Sequence, residues 1–250
     1  MNQPGQKICA TLIPAGIKKA ALVLSVKNTR WLEYVHSELV KQFGSYYPSF
    51  IKKQYKKSAS QLLEWSKNQQ IPLQVSVKTK TGWQTVADLN STGLATTREV
   101  VVPLDLSNVA DNLIQIKLSS GFMFWDIDYA AIDFSNDKKF EVENVSPAVA
   151  TDETGKNVLQ QILKNDGQYL EQPLPGNVTT IEYKCKPQPV NTSRSYILHT
   201  YGYYTHSWNF KNSPNIAFLK QLRHPNVFPL FSLLLYKAFI NTGFKNVAKN

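Results

Sequence analysis

The feature that most constrains this chain is a change of hydrophobic period at Pro72. Before it, "NTRWLEYVHSELVKQFG" spaces Leu32, Val35, Leu39 and Phe43 three or four residues apart, as on one face of a helix. Asn28 or Thr29 supplies an N-cap and Gly44 a left-handed stop. Another helical stretch follows "SYYP"; Ser58 with Gln61 forms a capping box, and Pro72 ends it. After Pro72 the period is two. "LQVSVKT" puts Leu73, Val75 and Val77 on one side and Gln74, Ser76 and Lys78 on the other. "TGWQTV", "REVVVPLDLS", "NLIQIKLSS" and "KFEVENVSP" read as further strands, and "GFMFW" as a strand buried on both faces. "AALVLSVKN" (Ala20–Asn28) is a strand ahead of the first helix. No helix fits between the strands after Pro72, so antiparallel sheets are expected and a parallel α/β fold is not.

The later third reads as a mixture. "VTTIEYKCK" and "SRSYILHTYGYY" are expected to pair as a hairpin around "PQPVNT". "NVLQQILKN", "SPNIAFLKQL" and "VFPLFSLLLYKAF" are expected helices, with Pro214 in a first turn. The expected class is α+β: a mainly antiparallel β-sandwich with flanking helices at both ends. Residues 1–70 form an N-terminal strand and helical segment packed on the sandwich. Residues 71–144 form its core, and residues 145–250 a hairpin with C-terminal helices on that same core.

At 250 residues and 42% hydrophobic, the chain can bury a substantial core. Its net charge of +10 is uneven: +8 over residues 1–70, −4 over 71–150 and +6 over 151–250. An anionic partner would explain this, and so would a basic helical part lying against an acidic middle. Cys9 and Cys185 show no zinc-site spacing; a pair and two buried thiols both remain open. The longest apolar run, Val227–Ile240, contains Pro229, Ser232 and Lys237 and is too short to span a bilayer, so no transmembrane segment is expected. The opening residues carry no signal-peptide pattern and read as if cut from a longer polypeptide; in that case a secreted or cell-envelope location is favoured.

Three groups of residues invite a functional reading. Asp126, Asp128 and Asp133 interrupt an apolar, aromatic stretch. They can mark a bend or sheet edge. Alternatively, Asp126, Asp128 and Asp105 can donate to Ca²⁺, or a carboxylate pair can serve glycoside hydrolysis. Lys52, Lys53, Lys56 and Lys57 follow the spacing of one helical stripe beside Tyr46, Tyr47, Phe50 and Tyr55, suited to an anion or to plain solvation. "YILHTYGYYTHSWNF" sets His199, Tyr201 and Tyr203 on one strand face and His206 on the other, a candidate sugar-stacking surface or half of a core. No nucleophile elbow, phosphate loop, dinucleotide fingerprint or HExxH occurs, so no catalytic residue is nominated. No nucleic-acid reading motif occurs either, so nucleic acid is an unlikely partner.

The succession "GWQTV…DLNSTG…REVVVPLDLS…IQIKLSSGFMFWDIDYAAIDF" resembles the distal half of a galactose-binding-like jelly roll over residues 71–135, as in uncharacterised bacterial envelope proteins. The resemblance implies a jelly-roll sandwich, sugar binding by loop aromatics, and allows a structural Ca²⁺; no other cofactor is required. The expected function is a non-catalytic binding or interaction module, directed at glycans, from a larger secreted or envelope protein. Trp83, Tyr201, Tyr203, His206 and Trp208 are its ligand-binding candidates. A structural accessory domain serving neighbouring domains comes next, and a carbohydrate-active enzyme third.

Overall fold

The structure, a computed structural model, describes residues 6–109, 112–136, 140–202, 204, 208 and 210–242. Tyr203 and His206 lie outside the described residues. The chain divides into two compact units, residues 1–136 with 208–250, and residues 137–207.

The first unit holds seven strands: β1 (Gln6–Leu12), β2 (Lys19–Asn28), β3 (Leu73–Thr79), β4 (Gly82–Leu89), β5 (Arg98–Asp105), β6 (Leu113–Ser119) and β7 (Trp125–Asp133). They form two sheets, ordered β1-β6-β3-β4 and β5-β2-β7, with every ladder antiparallel. Alternation decides which side chains turn inward. Leu22, Leu24 and Val26 of β2, Val102 and Leu104 of β5, Val75 and Val77 of β3, and Ile114, Ile116 and Leu118 of β6 all enter one hydrophobic cluster. The expected α+β class with mainly antiparallel sheet thus holds. Ser76, expected to face outward, is buried beside Thr85, where β4 bulges at Val86. Residues 6–12 carry little sequence signal as a strand, yet pair with β6 along their whole length.

Five helices complete the first unit: α1 (Arg30–Lys41), α2 (Tyr47–Gln54), α3 (Ala59–Asn68), α4 (Ile216–Gln221) and α5 (Val227–Thr242). The Thr29 hydroxyl caps α1, and Ser58 and Gln61 make the reciprocal capping box of α3. Asn215 caps α4, so Pro214 precedes the helix instead of standing in its first turn. Leu32, Val35, Leu39 and Val40 bury one face of α1 in the sheet cluster. Burying four such side chains contributes about 6–12 kcal/mol, taken from the exposed chain. That is far more than a helix of this length gains from propensity alone.

"GFMFW" is a tight turn, not a doubly buried strand, and β7 begins only at Trp125. The Phe124 N–H donates to the Gly121 carbonyl at 3.2 Å. The next three carbonyls are taken by side chains in place of a ladder. Ser232 donates to Phe122 O at 3.1 Å, Thr29 Oγ1 to Met123 O, and Asn28 Nδ2 to Phe124 O at 3.4 Å. Phe124 is fully buried against Phe228, 5.2 Å between ring centroids. A Cβ at Gly121 would stand 2.1 Å from the Phe124 ring. Gly121→Ala should therefore cost about 1–3 kcal/mol by overpacking, measured as a fall in urea midpoint with unchanged slope.

The second unit contains β8 (Pro147–Asp152) and β9 (Thr179–Tyr183), paired antiparallel. Here several expectations give way. The described residues of "KFEVENVSP" form no strand before Pro147, and "NVLQQILKN" shortens to one 3₁₀ turn at Leu159–Gln161. β9 pairs with β8, and the described residues of "SRSYILHTYGYY" are not strand. The turn after β8 explains the choice. The Asp152 carboxylate accepts from Thr154 N at 2.9 Å and Lys156 N at 3.0 Å, and Glu153 accepts from Val178 N at 3.1 Å. This network draws 152–157 and 177–178 together and so sets β9 beside β8. The Thr154 hydroxyl, donating at 2.7 Å, does most to hold the Asp152 carboxyl below its ordinary pKa range, and backbone N–H groups, its own and then that of Val178, do the same for Glu153.

Candidate functional site

Four helices of the first unit enclose a cavity of about 610 Å³, within the usual range for small-molecule sites. Its floor is the α1 face. Leu39, Val40 and Phe43 line it and are themselves buried. Phe50 closes on Phe43 with ring centroids 4.1 Å apart, and Tyr47 meets the same ring edge-on at 6.1 Å. Burial raises the Tyr47 phenol pKa, with the nearby Tyr55 adding to the shift, so it stays neutral. Leu62 and Trp65 of α3 and Leu219 of α4 form the remaining apolar walls.

Backbone chemistry holds α4 over the cavity. Gly44 adopts φ +50°, and a Cβ there would stand 2.2 Å from the Asn212 carbonyl oxygen. Only a glycine lets the 212–215 segment lie this close to the end of α1. The Ser45 N–H then donates to Asn212 O at 2.9 Å, and the Asn215 N–H to Gln42 O at 2.8 Å. On the far side, the Trp65 indole donates to Leu222 O at 3.0 Å. Gln69, fully buried, completes the clasp. Its Nε2 donates to His224 O at 2.8 Å and Leu222 O at 3.4 Å, and its Oε1 accepts from Phe228 N at 2.8 Å.

The rim is cationic. Among the described residues, Lys53, Lys57, Lys220 and Arg223 line the cavity and no Asp or Glu does. Among the described residues none of these four makes a salt bridge. Lys53 Nζ donates to Tyr46 Oη at 3.0 Å and lies 5.2 Å from that ring centroid. In such a site an anion meets four positive charges, while an apolar body meets aromatic walls.

The nominated residues distribute as follows. Lys53 and Lys57 border the cavity, whereas Lys52 and Lys56 stand exposed outside it. The four do not form one continuous helical stripe, because α2 ends at Gln54 and turns toward Ser58. Trp83 is partly exposed on β4, with Lys117 Nζ 4.9 Å and Lys78 Nζ 5.6 Å from its ring centroid. Trp208 stacks on Phe210 at 5.5 Å, and Phe210 packs edge-on against Tyr47. Tyr201 is exposed in the second unit. Cys9 and Cys185 are both free and exposed, so neither of the two open alternatives, a pair or two buried thiols, is found.

The aspartates do not converge. Asp126 stands opposite Lys27 near one end of β2, and Asp105 opposite Lys19 near the other. Eight residues separate Lys19 from Lys27, about 27 Å along a strand. Asp126, Asp128 and Asp105 therefore cannot share one Ca²⁺, and no group of three metal-type ligands occurs among the described residues. Asp128 is the extra residue of a bulge between the Tyr129 and Ile127 pairs, and β7 is an edge strand. Charge and bulge together blunt an edge against further pairing. The Asp105 pKa is held down by the Ser107 side chain and then by its N–H, which donates at 2.9 Å; the Asp133 pKa is held down by the Ser135 N–H, donating at 2.8 Å, and then by its side chain. No helix among the described residues is long and apolar enough to cross a membrane. No known protein family, curated protein or solved structure matches this chain.

Proposed function

We propose that this chain is a non-catalytic binding module, and that its ligand occupies the helical cavity as an amphiphile with an apolar body and an anionic head. The observation that carries this reading is the pairing of aromatic walls with an acid-free rim of Lys53, Lys57, Lys220 and Arg223. Apolar walls supply affinity and a few charged groups at the mouth fix orientation. Sodium dodecanoate, kept monomeric, tests it by calorimetry. Binding in the range of ~1–100 µM is expected, with dodecanol at least ~10-fold weaker, a difference of about 1.4 kcal/mol. Leu39→Trp, which fills the floor, should remove binding while leaving the far-ultraviolet circular dichroism unchanged. Absence of dodecanoate binding at millimolar concentration defeats the reading.

A second reading is favoured by Trp83, which offers a partly exposed ring between Lys78 and Lys117 on the four-stranded sheet. That setting suits an acidic glycan better than a neutral sugar, because the cations flank the stacking surface. The jelly-roll relationship belongs to this reading; two antiparallel sheets sharing one core support it. A glycan array separates the two: acidic sugars retained by the native chain and lost on Trp83→Ala support it, and no retained glycan removes it.

A further inference from the structure

Around the mouth of the helical cavity, surface features go beyond what a free ligand requires. Lys52 and Lys56 do not line the cavity, yet both are exposed in the same short stretch as Lys53 and Lys57. Tyr55 is 64% exposed, Leu62 40% and Leu63 43%, so three large apolar side chains are exposed within or close after the lysine stretch. Leu62 also lines the cavity, which joins the outer apolar surface to the inner one. Lys220 of α4 and Arg223 just after it add positive charge. Between residues 42 and 87 Glu64 is the single carboxylate.

Exposed apolar groups amid cations, with Glu64 as the single counter-charge in the stretch, match an anionic bilayer surface, where phosphates face the lysines and acyl chains face the apolar side chains. A purely acidic surface would satisfy the lysines but leave exposed Leu62 and Leu63 and the apolar cavity in water. We infer that the face formed by α2, the 55–57 turn, the start of α3 and α4 docks on the anionic leaflet of a membrane, and that the cavity receives an acyl chain from a lipid in that leaflet. This inference rests on the amphiphile reading of the cavity.

Flotation with vesicles tests it on the whole chain. Phosphatidylcholine vesicles and vesicles with three parts in ten phosphatidylglycerol are compared at low and at high salt. Co-flotation is expected only with the anionic vesicles, falling at least ~10-fold between 50 and 500 mM salt. Lys52→Glu/Lys56→Glu lies outside the cavity lining. It should cut vesicle binding ~10-fold or more while leaving dodecanoate affinity unchanged. Leu62→Ser/Leu63→Ser should weaken vesicle binding with little effect on its salt dependence. Dodecanoate binding without anionic-vesicle binding overturns this inference and leaves the cavity reading standing. Loss of both overturns both. Equal binding to the two vesicle types, or vesicle binding unchanged in the charge-reversed variant, also overturns it.

Discussion

Asn28→Ala should lower the stability of the first unit by about 2–4 kcal/mol, among the largest effects of any single substitution in this chain. The Asn28 side chain is buried, and its Oδ1 accepts from Ser91 Oγ, from Thr92 N at 2.8 Å and from Gly93 N at 3.1 Å. Its Nδ2 reaches Phe124 O, and its own N–H donates to Gly93 O at 3.1 Å. Removing the amide leaves the Thr92 and Gly93 N–H groups without their acceptor, while Phe124 O keeps the Thr29 N–H at 3.2 Å; an orphaned donor costs more than a hydrogen bond contributes. The measurement is thermal unfolding, where about 2–4 kcal/mol corresponds to a drop of roughly 4–16 °C for a unit of this size. Asn28→Asp keeps the acceptor but turns a negative oxygen toward Phe124 O, so it should fall between native and alanine. Thr92→Val provides the contrast. The Thr92 hydroxyl is buried with no hydrogen-bond partner among the described residues, so its replacement should be neutral or slightly stabilising. An alanine variant that melts within about 1 °C of the native chain would show that water replaces these bonds at no cost.

Gln69→Leu is expected to cost a similar ~2–4 kcal/mol and to act on the cavity as well. One side chain satisfies the last carbonyls before the α4–α5 turn and the N–H of Phe228 at the start of α5. Leucine occupies a comparable volume but satisfies none of them. The wall containing Leu219 and Leu222 should loosen, and dodecanoate affinity should fall ~10-fold or more. Hydrogen exchange at Phe228 N–H reports the change directly, since that amide should lose protection ahead of the sheet amides. Gln69→Glu keeps the acceptor for Phe228 N–H alone and should retain more of that protection than leucine. Native-like protection in the leucine variant would remove Gln69 from its role as the clasp.

How far each part was legible follows from where its stabilising interactions lie in the chain. α1 and α3 were legible because their signals are local: Thr29 and Ser58 bond within three residues of themselves. β2, β3 and β6 were legible because one-sided burial writes alternation into their residues. The Gly121–Trp125 turn was not, because its apolar residues resemble a buried strand while its carbonyl partners lie 94 to 110 residues away. β1 was not, because it is an edge strand with most side chains exposed, and period-two burial has little to act on. The candidate cavity was half visible. The lysine–aromatic mixture of 46–57 stood out, yet its meeting with α4 depends on Gly44 and Asn212, which no helical period reveals.

The first unit is interrupted by residues 137–207 and completed only by 208–242. On the ribosome this imposes a delay. Ser232, which meets both the Trp31 indole and the Phe122 carbonyl, is made 96 residues after Asn136. At ~5–20 residues per second this is about 5–20 s. Throughout that interval the aromatic flank of α1 has been synthesised but its cover has not, and nascent chains leave such surfaces to chaperones or to one another.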